Sequence, residues 1–235
     1  MKVLGLEHST INIIKALPNV DVYLIGGPFG AGKTVFADAF SSIRKGVVIR
    51  LDDYFLDENL MRLSVSSRYG VTRQWDHPSS VDLRLAHRNV IELLENRFTQ
   101  VPTFSFSENK RLGYRPQKRD SKAPVVVEGL YPLMLSQLLV RSCSTFSIFI
   151  NAEVNVRRQR ASIRPENRSW PPEEFDRRFH FRRIAETRWI LPQRFLADLV
   201  LDTSHGSFTL VKAIKTDPKV KERQQRSEGR RSTQP

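Results

Sequence analysis

The sequence predicts an α/β fold: a three-layer sandwich with helices on both faces of a central parallel sheet. Three observations carry this. Short apolar, β-prone runs alternate with segments of helical period along the 235 residues. Two of those runs end in acidic residues, as strands do where a parallel sheet meets its ligand. A glycine-rich turn separates the first such run from a helix-forming stretch.

Taken in order, residues 9–17 read as a short helix, with Ser9 or Thr10 as N-cap and Pro18 ending it. A strand at about 21–26 follows, then the glycine-rich turn, then Val35-Phe36-Ala37-Asp38-Ala39-Phe40, which suits a helix. Val47-Val48-Ile49-Arg50-Leu51 is a second strand running into Asp52-Asp53. Residues 82–97 place Leu83, Leu85, Val90, Leu93 and Leu94 at helical spacing. Pro124-Val125-Val126-Val127 is a wholly apolar strand ending at Glu128-Gly129, and Phe146–Ile150 is another. A long basic helical stretch, broken by Pro165 and by Pro171-Pro172, leads to a late strand at Ala197–Leu201. Residues 99–118, with Pro102, Phe104, Phe106, Lys110, Arg111 and Tyr114, read as a β-hairpin insertion or flap.

Composition narrows the function classes. An apolar content of 40% supports a core. No apolar run reaches eighteen residues and no long apolar leader opens the chain, so no membrane partner and a cytoplasmic location are expected. A single cysteine, Cys143, excludes an internal disulfide framework. The formal charge of +13 is concentrated in Arg157–Arg194 and in the tail Lys219–Arg231. One domain over 1–215 and a disordered basic tail over 216–235 are expected. Nucleic acid is disfavoured as a partner, because basic and aromatic residues do not interleave. A homo-oligomer stays open.

The turn itself is Gly27-Pro28-Phe29-Gly30-Ala31-Gly32-Lys33-Thr34, the phosphate-loop spacing between a strand and a helix. Glycines let backbone N–H groups converge on a polyphosphate, and the helix N-terminus adds its dipole. A lysine at position 33 reaches the β- and γ-phosphates, and a threonine at 34 offers its hydroxyl to Mg²⁺. Three carboxylates complete a constellation. Asp52 can act as base or orienting acceptor for a hydroxyl, close to Mg²⁺. Glu128 stands where an acid supports Mg²⁺ or its waters. Asp76 lies in Gln74-Trp75-Asp76-His77-Pro78, a loop able to grip a polar substrate. Asp53 reads as a neighbour with local hydrogen bonds. Arg157, Arg160, Arg164 and Arg168 fall on one helical stripe, either a solvated face or a lid over the γ-phosphate with Arg160 and Arg164 as its active members. Phe104 and Phe106 either stack on a base or pack within the hairpin.

Together these residues resemble the uridine kinase (uridine–cytidine kinase) family of P-loop kinases. The matching stretches are Ile25–Thr34, Asp52-Asp53-Tyr54-Phe55, Trp75-Asp76-His77-Pro78 with Val81-Asp82, Val101-Pro102 with Phe106 and Arg111, Val126-Val127-Glu128-Gly129, the arginine-rich stretch and Ala197-Asp198-Leu199-Val200. The resemblance implies a P-loop NTPase sandwich with a β-hairpin substrate flap at about 99–118 and an arginine-rich helical lid at about 157–183. It implies ATP and Mg²⁺, and transfer of a phosphoryl group to a small-molecule alcohol, in that family a nucleoside 5′-hydroxyl. Asp52 would be the base, Thr34 and Glu128 would serve the metal, and Asp76 would hold ribose hydroxyls. Tyr54 and Phe55 would flank the sugar, and Phe104, Phe106, Asn109 and Arg111 would line the flap side. Two departures bear on the acceptor. Phe104-Ser105-Phe106 replaces the usual Tyr-Asp-Phe, with Asn109 where a base-reading histidine stands, and Ala161 replaces an arginine of the lid. Kinases for pantothenate, ribulose phosphate or other alcohols are the neighbouring expectation. A nucleotide- or RNA-binding protein without turnover is the expectation of another class.

Overall fold

The computed structural model of the chain describes residues 8–66, 70–164 and 171–213. The basic tail, Arg168 and the end of the expected domain lie outside those residues. The central sheet has six strands: β1 (Val22–Gly26), β2 (Val47–Arg50), β7 (Val125–Gly129), β8 (Thr145–Asn151), β9 (Leu199–Asp202) and β10 (Thr209–Ala213). Their spatial order is β10-β9-β8-β1-β7-β2. β1 therefore lies between β8 and β7, parallel to both, and only the β10–β9 pair is antiparallel.

Alternation along each strand divides the core in two. Val22, Leu24, Ile49, Val125, Val127 and Phe149 face one layer, which includes Leu85, Ala86, Val90 and Leu93 of α3 (Leu83–Glu95). Tyr23, Ile25, Val126, Ile148 and Ile150 face the other. That layer is built from Ile14 of α1 (His8–Ala16) and Phe36, Ala37 and Phe40 of α2 (Lys33–Arg44). Both faces are covered, which is why the strands read as continuous apolar runs. The chain has the α/β architecture, a central and mostly parallel sheet between helical layers, that the sequence predicts.

Two hairpins stand apart from this sheet. β5 (Phe98–Ser105) and β6 (Lys110–Lys118) pair antiparallel, as expected for 99–118, with a register shift at Thr103/Phe104 and Asn109 at φ 54° in the turn. β3 (Leu63–Ser66) and β4 (Gly70–Arg73) form a second hairpin that the sequence reading leaves unassigned. After β7 a 3₁₀ turn (Pro132–Leu135) leads into the short α4 (Ser136–Leu139). The basic stretch forms α5 (Val154–Ser162) and α6 (Pro172–Ala185), followed by one π-helical turn, Glu186–Ile190. β10 and that π turn were also not anticipated. No helix among the described residues is long and apolar enough to cross a membrane.

Candidate active site

The sheet register lines up the functional strand ends. Ile25 pairs with Glu128 and Gly26 with Gly129, while Arg50 pairs with Glu128 on the other side of β7. The loop after β1, the acid of β7 and the Asp52 turn after β2 thus open on one edge. Gly27 has φ 148°, and a Cβ there would lie 2.0 Å from the Ile150 carbonyl oxygen of β8. Gly30 has φ 78° and packs against the Arg157 backbone, where a Cβ would lie 3.0 Å from the Arg157 oxygen. Both positions need glycine for conformation and for space. The loop passes through Pro28, Phe29 and Ala31 to Gly32, which precedes α2 in the left-handed region at φ 94°.

Lys33 curls back, its Nζ donating to the Pro28 carbonyl at 3.0 Å. Burial pushes its ammonium below the ordinary lysine value, and the Glu128 and Asp52 carboxylates oppose that shift. Thr34 Oγ1 donates to Glu128 Oε1 at 3.3 Å, and Arg50 Nε lies 3.8 Å from the same oxygen. Glu128 is 3% exposed. Its burial, reinforced by the Asp52 charge, pushes its carboxyl up to about 7. Asp52 lies in the 3₁₀ turn Leu51–Tyr54. The residue is exposed, yet desolvation by its neighbours raises the carboxyl pKa, and Lys33 and Arg164 oppose that shift. Asp76 is raised for the same reason, and Arg182 Nε approaches its Oδ2 at 3.5 Å. The Tyr131 hydroxyl donates to the Asp76 carbonyl.

Several expected site residues have framework contacts. Tyr54, expected beside the acceptor, is 1% exposed, and its hydroxyl donates to Asn89 at 2.9 Å within the core. Arg111 donates to the Tyr54 and Phe55 carbonyls, both at 2.8 Å, and to Asp82, so it ties the hairpin to the Asp52 turn. Asn109 donates from Nδ2 to Glu58 at 3.0 Å, directing its amide away from a base-reading role. Asp53 pairs with Arg115 of β6 at 3.0 Å. Phe55 and Phe104 are in ring contact with each other and each with Trp75 and Phe106; Phe104 is buried and Phe106 58% exposed.

The arginine stripe separates into distinct roles. Arg157 is 1% exposed and binds both Glu186 oxygens, at 2.6 and 3.0 Å, with further bonds to the Ala152 and Phe29 carbonyls. Arg160 donates to the Gly30 carbonyl at 3.3 Å and to Thr203 at 2.8 and 2.6 Å, which braces the loop from below. Arg164 stacks on the Phe29 ring at 4.5 Å. The sequence gives no sign of the roles of Arg182 and Glu186, because a stretch with many arginines and acids does not show locally which ones turn inward.

The residues present fit a magnesium–nucleoside triphosphate. Gly27 and Gly30 leave the cradle free of side chains, Lys33 points into the loop, and a hydroxyl is paired with a carboxylate at the helix start. Among the described residues no group of three or more His, Cys, Asp or Glu could hold a metal alone. Mg²⁺ is commonly held by one or two protein oxygens with phosphates and water, and Thr34 and Glu128 offer such oxygens.

Comparison with known proteins gives the family. Residues 22–207 match the model of the Phosphoribulokinase / Uridine kinase family. Uridine-cytidine kinase C of Dictyostelium discoideum is 32% identical over 120 residues, 51% of this chain and 25% of that protein. A protein named inorganic pyrophosphatase TTM2 of Arabidopsis thaliana is 33% identical over 118 residues, 49% of this chain and 16% of that protein. The matches thus span a quarter or less of these two relatives. The structure of a possible uridine kinase from Bacillus stearothermophilus superposes with a TM-score of 0.53 at 16% identity, covering 82% of this chain and 97% of that one, a likeness of fold.

Proposed function

Because the chain belongs to the phosphoribulokinase/uridine kinase family, we propose that it phosphorylates the hydroxyl of a small-molecule alcohol from ATP, with the 5′-hydroxyl of a pyrimidine nucleoside as first choice. The observation that carries this reading is the grouping of Lys33, Thr34, Asp52 and Glu128 at the carboxyl ends of β1, β2 and β7, where Lys33 acts on both carboxylates and the Asp52 charge acts on Glu128. A nucleotide-binding module alone would not require a second carboxylate beside the lysine.

Residues 27–34 would hold the phosphates, with Thr34 and Glu128 serving Mg²⁺ and Asp52 beside it. Bound there, Mg·ATP supplies the transferable phosphoryl group and a divalent charge. Asp52 accepts the proton of the acceptor hydroxyl. Its raised pKa makes it a stronger base than an ordinary aspartate, which favours that task near neutral pH. Lys33 and Arg164 offset developing negative charge, and Arg160 contributes by fixing the Gly30 backbone. Asp76 orients the acceptor through its other hydroxyls, and Phe106 offers it an exposed ring.

A second reading keeps the chemistry and changes the acceptor to a non-nucleoside alcohol. It is favoured by Asn109, whose amide is engaged by Glu58, and by Phe104, which has no hydroxyl to read a base edge. The test is acceptor-dependent ADP formation from Mg·ATP with pyrimidine and purine nucleosides, pantothenate and sugar alcohols. Uridine or cytidine as best acceptor supports the first reading, and another alcohol the second. Orthophosphate without any acceptor dependence would make the protein a hydrolase, and nucleotide binding without turnover would make it a binding protein.

A further inference from the structure

Phe29 is an odd residue for a phosphate cradle, whose contacts come from backbone N–H groups, a lysine and a hydroxyl. Its ring is half-buried, and two guanidiniums lie over it, Arg164 at 4.5 Å and Arg182 at 3.8 Å from the ring centroid. They come from different elements: Arg164 follows α5, and Arg182 belongs to α6. The carbonyl of the same residue accepts from Arg157 at 3.2 Å, and Arg157 is bound to Glu186 just beyond α6. Both helical segments therefore converge on one residue of the loop. Like charges so close repel; the negative ring faces of Phe29 and the Asp76 carboxylate, 3.5 Å from Arg182, offset that repulsion.

We propose that Phe29 is a positioning residue: its ring fixes Arg164 and Arg182 next to Asp52, Lys33 and Asp76 and so holds α5 and α6 against the phosphate loop. This rests on the reading of the cleft as a phosphoryl-transfer site. The quadrupole of the ring carries the role, so an aromatic replacement retains it and an aliphatic one of similar bulk does not.

Hydrogen exchange on the full nucleotide-free chain tests this. In Phe29→Leu, amides of 157–164 and 172–185 exchange about tenfold faster, the scale of a lost cation–π contact. Those of β1 are unchanged. Phe29→Tyr matches the wild type. Wild-type exchange in Phe29→Leu, or equal acceleration in the Leu and Tyr variants, overturns the proposal. If Phe29→Leu does not fold, Arg182→Gln takes its place; it must accelerate exchange in 172–185, and unchanged exchange there overturns the proposal. Titration of the wild type with Mg·ADP is a separate arm. Absence of binding there counts against the kinase reading and leaves the exchange result to judge the clamp.

Discussion

Arg157 and Glu186 form a buried bidentate ion pair beneath the phosphate loop, with N–O distances of 2.6 and 3.0 Å. Neither side chain is more than 2% exposed. Arg183 adds a bond to the same glutamate at 2.9 Å, and Arg157 carries the Phe29 carbonyl. Removing the acid strands a buried guanidinium, whose desolvation is no longer compensated. Glu186→Ala is expected to lower stability by about 3–5 kcal/mol in urea denaturation, with Glu186→Gln costing less because it keeps an acceptor. A loss below about 1 kcal/mol in the alanine variant would show that the pair contributes nothing to holding the loop.

Glu128 sets a pH dependence. Its carboxyl moves from an ordinary value near 4.5 up to about 7 in the folded protein. The native state therefore holds more protons than the unfolded chain between those values, so stability is fully present below about 4.5 and falls as pH rises through 7. The contribution is on the order of 3 kcal/mol. Urea midpoints from pH 4.5 to 8 should show the wild type losing ground to Glu128→Gln as pH rises. Parallel curves for the two proteins would contradict the assignment.

Gly27 admits no side chain. Alanine there needs a positive φ and brings its Cβ to 2.0 Å from a backbone oxygen, which no rotamer change relieves. Gly27→Ala should cost about 1–3 kcal/mol and abolish tight Mg·ADP binding by calorimetry, because the cradle must shift. Wild-type affinity in this variant would mean that the loop as folded is not the phosphate cradle.

The legible parts of the molecule were those with local causes. The phosphate loop, the apolar strands and the acids at their ends are written in adjacent residues, and so is the hairpin at 99–118. What stayed hidden depends on partners distant in sequence. Arg157 looks like one member of a solvated stripe until Glu186 is folded onto it. Tyr54 looks like a substrate contact until Asn89 of α3 takes its hydroxyl. Arg111 and Asn109 lie in the hairpin as expected, yet turn toward the Asp52 turn and Glu58. The strands β3 and β4 are four residues each, and their apolar residues Leu63, Val65 and Val71 are exposed, so these side chains do not point to a core.

Asp52→Asn tests the central claim most directly, compared with the wild type by ³¹P NMR in Mg·ATP with the best acceptor. The wild type should give a phosphomonoester in step with ADP. The variant should bind Mg·ADP within about threefold of the wild type and form that ester roughly 10²–10⁴ times more slowly. Equal ester formation by the two proteins, or a wild type that yields only orthophosphate, would contradict Asp52 as the base of an alcohol kinase.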